Sequence, residues 1–310
     1  MKKTISMAIM AIIALGIVGI LSGGAFAGEA GNHYVNGVEG LKAASLPPPG
    51  FYYRMYNVLY TADALTDDNG DEIDAINFDV SVFANVHRLI WMSNYKIWGA
   101  DFGADIIIPL INTDIEVKAK GGPTLTDDSQ FSLGDICLEP FLLSWHGPRY
   151  DAAAALAVYI PTGDYDKTEA ASPGKDMWTG MFTLGGTLYF DAEKTWSASI
   201  LGRYETHSEQ GDRDVTYGDD FHFEWGVAKT FSKFWDVGLA GYSQWQISDD
   251  SGSDVTWDKS VHDTIHAIGP EVNIFAPSWK LFVSLRILGE FGAEDRSEGN
   301  ITTLTLTKIF

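Results

Sequence analysis

Apolar and polar residues alternate along most of this chain beyond Phe51, the period of a strand with two unlike faces. The run after Trp279 is clearest. Leu281, Val283, Leu285, Ile287 and Phe291 share one face with Trp279, while Lys280, Ser284, Arg286 and Glu290 share the other. A helix would spread those charges around its circumference; a strand gathers them on one side. The same alternation sets Ile76, Phe78, Val80, Val82, Ala84 and Val86 against Asn77, Asp79, Ser81, Asn85 and His87. It also sets Phe221, Phe223, Trp225 and Val227 against His222 and Glu224. The pattern predicts twelve strands, at about 50–62, 73–91, 95–118, 131–145, 150–162, 177–190, 196–206, 220–231, 235–247, 261–275, 279–292 and 299–310.

The links between these strands alternate in character. Five are tight, at 92–94, 146–149, 191–195, 232–234 and 276–278. Six are polar and mostly longer, at 63–72, 119–130, 163–176, 207–219, 248–260 and 293–298. Such sorting trims one end of a closed sheet and elaborates the other, as in outer-membrane barrels. A soluble sandwich has no reason to sort its loops this way. The expected fold is all-β, a single transmembrane β-barrel of the outer-membrane type with about 12 antiparallel strands, spanning residues 51–310. Its even strand number leaves both termini at the trimmed end.

Residues 1–27 read as a signal peptide. Lys2 and Lys3 supply the positive start, an apolar run from Ile5 to Leu21 follows, and Ala25-Phe26-Ala27 fits a cleavage site. That places the mature protein in the outer membrane of a Gram-negative cell. Residues 28–50 lack alternation and end in Pro47-Pro48-Pro49-Gly50, a stiff extended element. They form a leader, or a plug folded back into the lumen. The chain holds 10 Trp, 13 Tyr and 17 Phe, and many of these aromatics fall at strand ends, where an interfacial girdle would put them. The chain ends on Phe310 within an alternating strand, a feature of barrels handled by the outer-membrane assembly machinery; Lys308, third from the end, departs from that signature. A formal net charge of −21 argues against nucleic acid, which needs a basic face. One cysteine, Cys137, rules out an internal disulfide.

Several phrases resemble one family, the outer-membrane transporter family of the meta-cleavage pathway of phenol degradation. They are Leu46-Pro47-Pro48-Pro49-Gly50-Phe51-Tyr52, then Ala62-Asp63, then Gly134-Asp135-Ile136-Cys137-Leu138-Glu139-Pro140-Phe141 with Trp145-His146-Gly147. Tyr159-Ile160-Pro161-Thr162-Gly163-Asp164-Tyr165, Ile268-Gly269-Pro270 and Glu290-Phe291-Gly292-Ala293-Glu294-Asp295-Arg296 complete the ordered set. Glu139-Pro140 stands where the family usually has Gly-Pro, which adds a carboxylate. The resemblance implies a transporter-like barrel associated with uptake of aromatic or other hydrophobic compounds.

Twelve strands lie between eight, whose interior side chains fill, and sixteen, which leave an aqueous channel. The lumen should therefore be narrow. By parity its lining candidates are Arg54, Asp79, Arg88, Asp101, Asp105, Glu139, Arg203, Glu205, Glu224, Glu271, Arg286 and Glu290. Opposed charges there should pair, because lone buried charges are costly. The expected function is a channel for passive uptake of small hydrophobic, including aromatic, compounds, working without cofactor or catalytic residue.

Two other readings compete. A structural or surface-interaction barrel would use its acidic loops, such as Asp67-Asp68-Asn69-Gly70-Asp71-Glu72, toward ions, outer-membrane lipids or lipopolysaccharide. That loop lacks the full calcium-loop spacing, and no metal site is expected. An outer-membrane lipid hydrolase would need a serine beside a histidine; Ser260, His262 and His266 are close in sequence but form no nucleophile motif.

Overall fold

The computed structural model describes residues 31–310; the expected signal peptide, residues 1–27, lies outside them. The strands are β1 (Gly50–Leu65), β2 (Ile76–Ile97), β3 (Ala100–Ala119), β4 (Thr124–Leu133), β5 (Ile136–His146), β6 (Tyr150–Ile160) and β7 (Thr179–Tyr189). They continue as β8 (Trp196–His207), β9 (Asp220–Phe231), β10 (Trp235–Gln246), β11 (Thr264–Ala276), β12 (Leu281–Glu294) and β13 (Ser297–Ile309). All pairings are antiparallel, and β1 pairs with both β2 and β13, which closes the ring.

Thirteen strands occupy twelve positions in the wall. β5 pairs with β3 along Asp101–Ile107, and β4 pairs with β3 higher up, along Leu110–Lys118. The handover falls at Pro109, which has no N–H to donate and so suits a point where neither partner is in register. The carbonyl of Pro109 accepts the amide of Gly134, which sits in the break between β4 and β5. The other edge of β4 has no strand partner among the described residues. Loop 161–178 covers part of it: Asp164 donates its amide to the Leu133 carbonyl, and Ala171 donates to Asp128 Oδ2 at 2.9 Å.

The sorting of connections holds, with three differences. Residues 119–130, predicted as a loop, instead form a tight turn followed by most of β4. That strand carries Thr124, Thr126, Asp127, Asp128, Ser129 and Gln130, and lacks the apolar face by which a strand betrays itself. Next, β2 continues to Ile97 through a register shift after Met92, so its turn is Trp98-Gly99 and not 92–94. Both turn residues have positive φ, 49° and 82°, which a two-residue hairpin turn matching strand twist requires. Finally, the β12–β13 link shrinks to Asp295 and Arg296. Among the trimmed turns, 190–195 is closed by Asp191, whose Oδ1 accepts the amides of Thr195 (2.7 Å) and Trp196 (3.0 Å). The hydrogen bond from the Thr195 hydroxyl, with those amides, holds the Asp191 carboxyl down at about 2.

The outer surface is apolar. Leu59, Phe83, Leu89, Leu156, Phe182, Leu184, Ile200, Leu239, Leu285 and Ile287 are all exposed there. An exposed apolar belt of this extent is the surface of a membrane barrel. Near the trimmed rim stand Tyr95, Trp98, Tyr150, Phe190, Trp196, Trp235 and Trp279, all exposed, as an aromatic girdle.

One parity expectation needs correction. Asp79 does not line the lumen; it lies on the outside of β2, exposed, while Ile76, Phe78, Val80 and Ala84 are buried inside. β2 is 22 residues long, about twice what a tilted strand needs to cross a bilayer. Its upper part therefore stands clear of lipid and can carry Asn77 and Asp79 outward. Inside, Phe78 and Val80 pack with Ile115 and Val117 of β3 and with Ala170 and Ala171 of loop 161–178. Lower on the outer wall, polar residues pair with each other. Asn85 donates to Asn57 at 2.8 Å, and the Tyr53 hydroxyl meets His87 Nδ1 at 2.6 Å.

Candidate functional site

Residues 31–49 run through the lumen, and Asn32, Tyr34, Asn36, Leu41 and Ala44 are buried there. This leader forms no strand, so its amides have no ladder to join, and buried amides must find acceptors elsewhere. The wall supplies carboxylates. Glu205 accepts the amides of His33 (2.9 Å) and Tyr34 (3.0 Å). Glu224 accepts that of Glu39 (3.0 Å), and Glu271 that of Leu41 (2.9 Å). Three inward glutamates on three strands thus hold one extended segment.

Two of these carboxylates, Glu224 and Glu271, are paired with arginines. Arg203 Nη1 donates to Glu224 Oε2 at 2.7 Å, and its guanidinium lies 3.7 Å from the centre of the Tyr34 ring, whose hydroxyl donates to Glu224 at 2.6 Å. Arg286 Nε donates to Glu271 Oε2 at 2.7 Å, and Arg286 Nη1 also donates to the leader carbonyl of Gly37. Gly40 passes directly over this pair. A Cβ at that position would overlap Glu271 Oε2 and Arg286 Nε. Gly40→Val is therefore expected to undock the leader, read as faster protease cleavage within residues 31–49 of the otherwise intact folded barrel; a cleavage rate equal to wild type would contradict this packing.

A third cluster is the densest. Arg88 Nε donates to Asp105 Oδ2 at 2.7 Å, its Nη2 to Glu139, and its Nη1 to the leader's Glu39 at 3.2 Å. Arg54 Nη1 and the Tyr56 hydroxyl also donate to Glu39, at 3.0 and 2.7 Å. Two arginines thus face three carboxylates, all inside the barrel. Such burial is costly for lone ions and tolerable only when every charge is met. Glu139, the residue at the family's Gly-Pro position, is one of the three.

Among the sequence-predicted lining residues, Arg54, Arg88, Asp105 and Glu139 meet in this cluster. Arg203 and Glu224 form one of the two pairs described before it, and Glu271 and Arg286 the other. Glu290 stands apart and accepts from the Tyr60 hydroxyl (3.1 Å), the Tyr242 hydroxyl and the Gly299 amide (2.8 Å). Asp101 is buried near the trimmed rim beside Lys96. Glu205 is buried under the leader, and Asp79 is outside. Sequence reasoning missed Glu39, Tyr34 and His33 because the leader has no periodicity. The available signal was that Glu39 is the only carboxylate from Gly31 to Gly50.

Beside the leader lies a cavity of about 200 Å³. Val58, Ala84, Val86, Ile107 and Ile111 of β1, β2 and β3 form its apolar side, with Val38 of the leader opposite. Arg88, Glu39 and His33 contribute its polar edge. Ala84 and Val86 share this inward face of β2 with Arg88, opposite the face that carries Asp79. Ser260, His262 and His266 do not converge on a catalytic arrangement. Ser260 bonds Asp258, His262 meets Asp249 at 2.9 Å, and His266 meets Ser243 at 2.9 Å.

A family model described as "Putative MetA-pathway of phenol degradation" matches residues 62–306. An outer membrane channel from Pseudomonas putida F1 has a similar structure, with a TM-score of 0.73 at 13% identity, covering 90% of this chain and all of that one. The translocator domain of the autotransporter NalP from Neisseria meningitidis has a TM-score of 0.48 at 8% identity, covering 85% of this chain and 90% of that one. The first likeness shows the closed outer-membrane barrel fold. No curated protein sequence matches.

Proposed function

Because the chain belongs to the family of the MetA pathway of phenol degradation, we propose that it is an outer-membrane channel for passive uptake of small hydrophobic compounds of about one aromatic ring. The observation that carries this reading is the apolar cavity held beside the leader inside a lumen crossed by ion pairs. At about 200 Å³ it is large enough for a single ring, since an engineered apolar cavity of roughly 150 Å³ binds benzene. Tyr56 and Tyr60 lie on its wall and offer hydroxyls at the edge of an apolar floor, which suits a phenol-like solute. The charges beside it are tied up in ion pairs, with each of the three carboxylates meeting at least one guanidinium.

Filling the cavity tests this. Ala84→Trp should reduce uptake of labelled phenol or toluene several-fold in cells that depend on this barrel, with surface expression unchanged. Equal uptake by wild type, Ala84→Trp and a deletion strain across a panel of aromatic and alkyl compounds would end the proposal. Export is part of the same reading: the mature protein should fractionate with the outer membrane and begin at Gly28, a point settled by its intact mass.

A further inference from the structure

We infer that Glu205, His207 and Asp220 form a binding site for one divalent first-row transition-metal ion inside the barrel, beneath the leader. Strand geometry builds the group. Glu205 and His207 are two apart on β8 and so share the lumen face. The register sets Asp220 of β9 directly opposite Glu205. One ligand atom from each lies within 4.8 Å of the others. The His207 side chain is fully buried and that of Asp220 is 1% exposed.

The donor chemistry favours a transition metal. His207 presents Nε2 to the group, 3.1 Å from Asp220 Oδ2. Its other ring nitrogen, Nδ1, lies 2.7 Å from the Thr179 hydroxyl, an outer contact that fixes the ring as second-sphere partners of metal-bound histidines do. An imidazole with two carboxylates suits Zn²⁺, Fe²⁺ or Ni²⁺, whereas an all-oxygen set would suit Ca²⁺ or Mg²⁺. Glu205 already accepts two leader amides, one on each oxygen, yet each carboxylate oxygen has a second lone pair to offer. Two carboxylates meet one imidazole in a buried place, with the Lys175 ammonium acting on Glu205 from nearby, and a dication would add to that compensation.

A second feature points the same way. The next inward residue on β9 is His222, fully buried, whose Nε2 has no hydrogen-bond partner among the described residues. The leader covers the group, since a Cβ on Gly31 would lie 3.6 Å from Asp220 Oδ2. An ion here would join β8 to β9 and, through Glu205, to the segment that crosses the lumen. Sequence spacing hides such a site, because strand pairing and not a local motif brings β8 and β9 ligands together.

The test is calorimetric titration of the full mature barrel in detergent, after stripping with a chelator, with Zn²⁺ alone and with Ca²⁺ alone. The expected result is one Zn²⁺ per barrel, bound far more tightly than Ca²⁺. His207→Ala and Asp220→Asn should abolish that binding, and Thr179→Val should weaken it about 10–100-fold. His266→Ala, on the outer wall, should leave it unchanged. Folding of each variant is read from heat-modifiable gel mobility; where His207→Ala fails to fold, Thr179→Val decides. Absence of stoichiometric Zn²⁺ binding, Ca²⁺ binding of equal affinity, or full affinity in Thr179→Val would each overturn the site.

Discussion

Arg88→Met is expected to lower the stability of the folded barrel by roughly 3–5 kcal/mol, the cost of breaking a buried ion pair by removing one partner. Arg88 meets Asp105, Glu139 and Glu39 together, and only Glu39 keeps a second guanidinium, that of Arg54. Asp105 and Glu139 would then be left side by side in the wall with no cation. Methionine restores the bulk of the side chain without its charge, so the loss reads electrostatics and not a cavity. The measurement is the urea midpoint of the refolded barrel in detergent micelles. Adding Asp105→Asn and Glu139→Gln should recover most of the loss, because the repulsion disappears with the charges. A single variant as stable as wild type would show that water, and not Arg88, neutralises this cluster.

The second large effect concerns the leader. Deleting residues 31–45 is expected to raise single-channel conductance in planar bilayers several-fold while the barrel still folds. The wall is closed by strand pairing alone, through β1 and its two neighbours, so it does not need the leader to form. Four leader amides, from His33, Tyr34, Glu39 and Leu41, would leave Glu205, Glu224 and Glu271, and water would take their place. Twelve wall positions without a central segment leave a lumen wider than an eight-stranded barrel, whose interior side chains fill. Conductance equal to that of the full chain would mean that the wall charges, and not the leader, set the constriction.

Much of the wall was legible in the sequence. Charges alternating with apolar residues at period two, as along β12, can only be a strand with a wet side and a greasy side. The sorted loops then closed the sheet. The failures are equally physical. β4 escaped notice because a strand standing above the bilayer needs no apolar face. Asp79 was misplaced because alternation reports two faces without saying which one meets lipid, and the long upper part of β2 reverses the usual assignment. The apolar cavity was missed because only charged residues were sought for the lumen, although Val58, Ala84, Val86, Ile107 and Ile111 share strand faces with Arg54, Arg88 and Asp105. The leader's contacts were invisible because it has no periodicity to give its side chains a face, and because four of the contacts are made by backbone amides, which every sequence possesses.

That last point has a consequence for how this protein can change over time. Wall glutamates grip the peptide links of the inner segment, so what they recognise is the presence of a chain and not the identity of its side chains. Three positions are exceptions: 34, whose hydroxyl donates to Glu224, 39, whose carboxylate meets Arg54 and Arg88, and 40, where any larger residue collides with the grip itself. Between these positions and the other side chains that bond the wall, at 33, 36 and 42, the inner segment can be rewritten with its backbone anchorage kept, and the barrel can acquire new preferences for what it admits while its frame stays as it is.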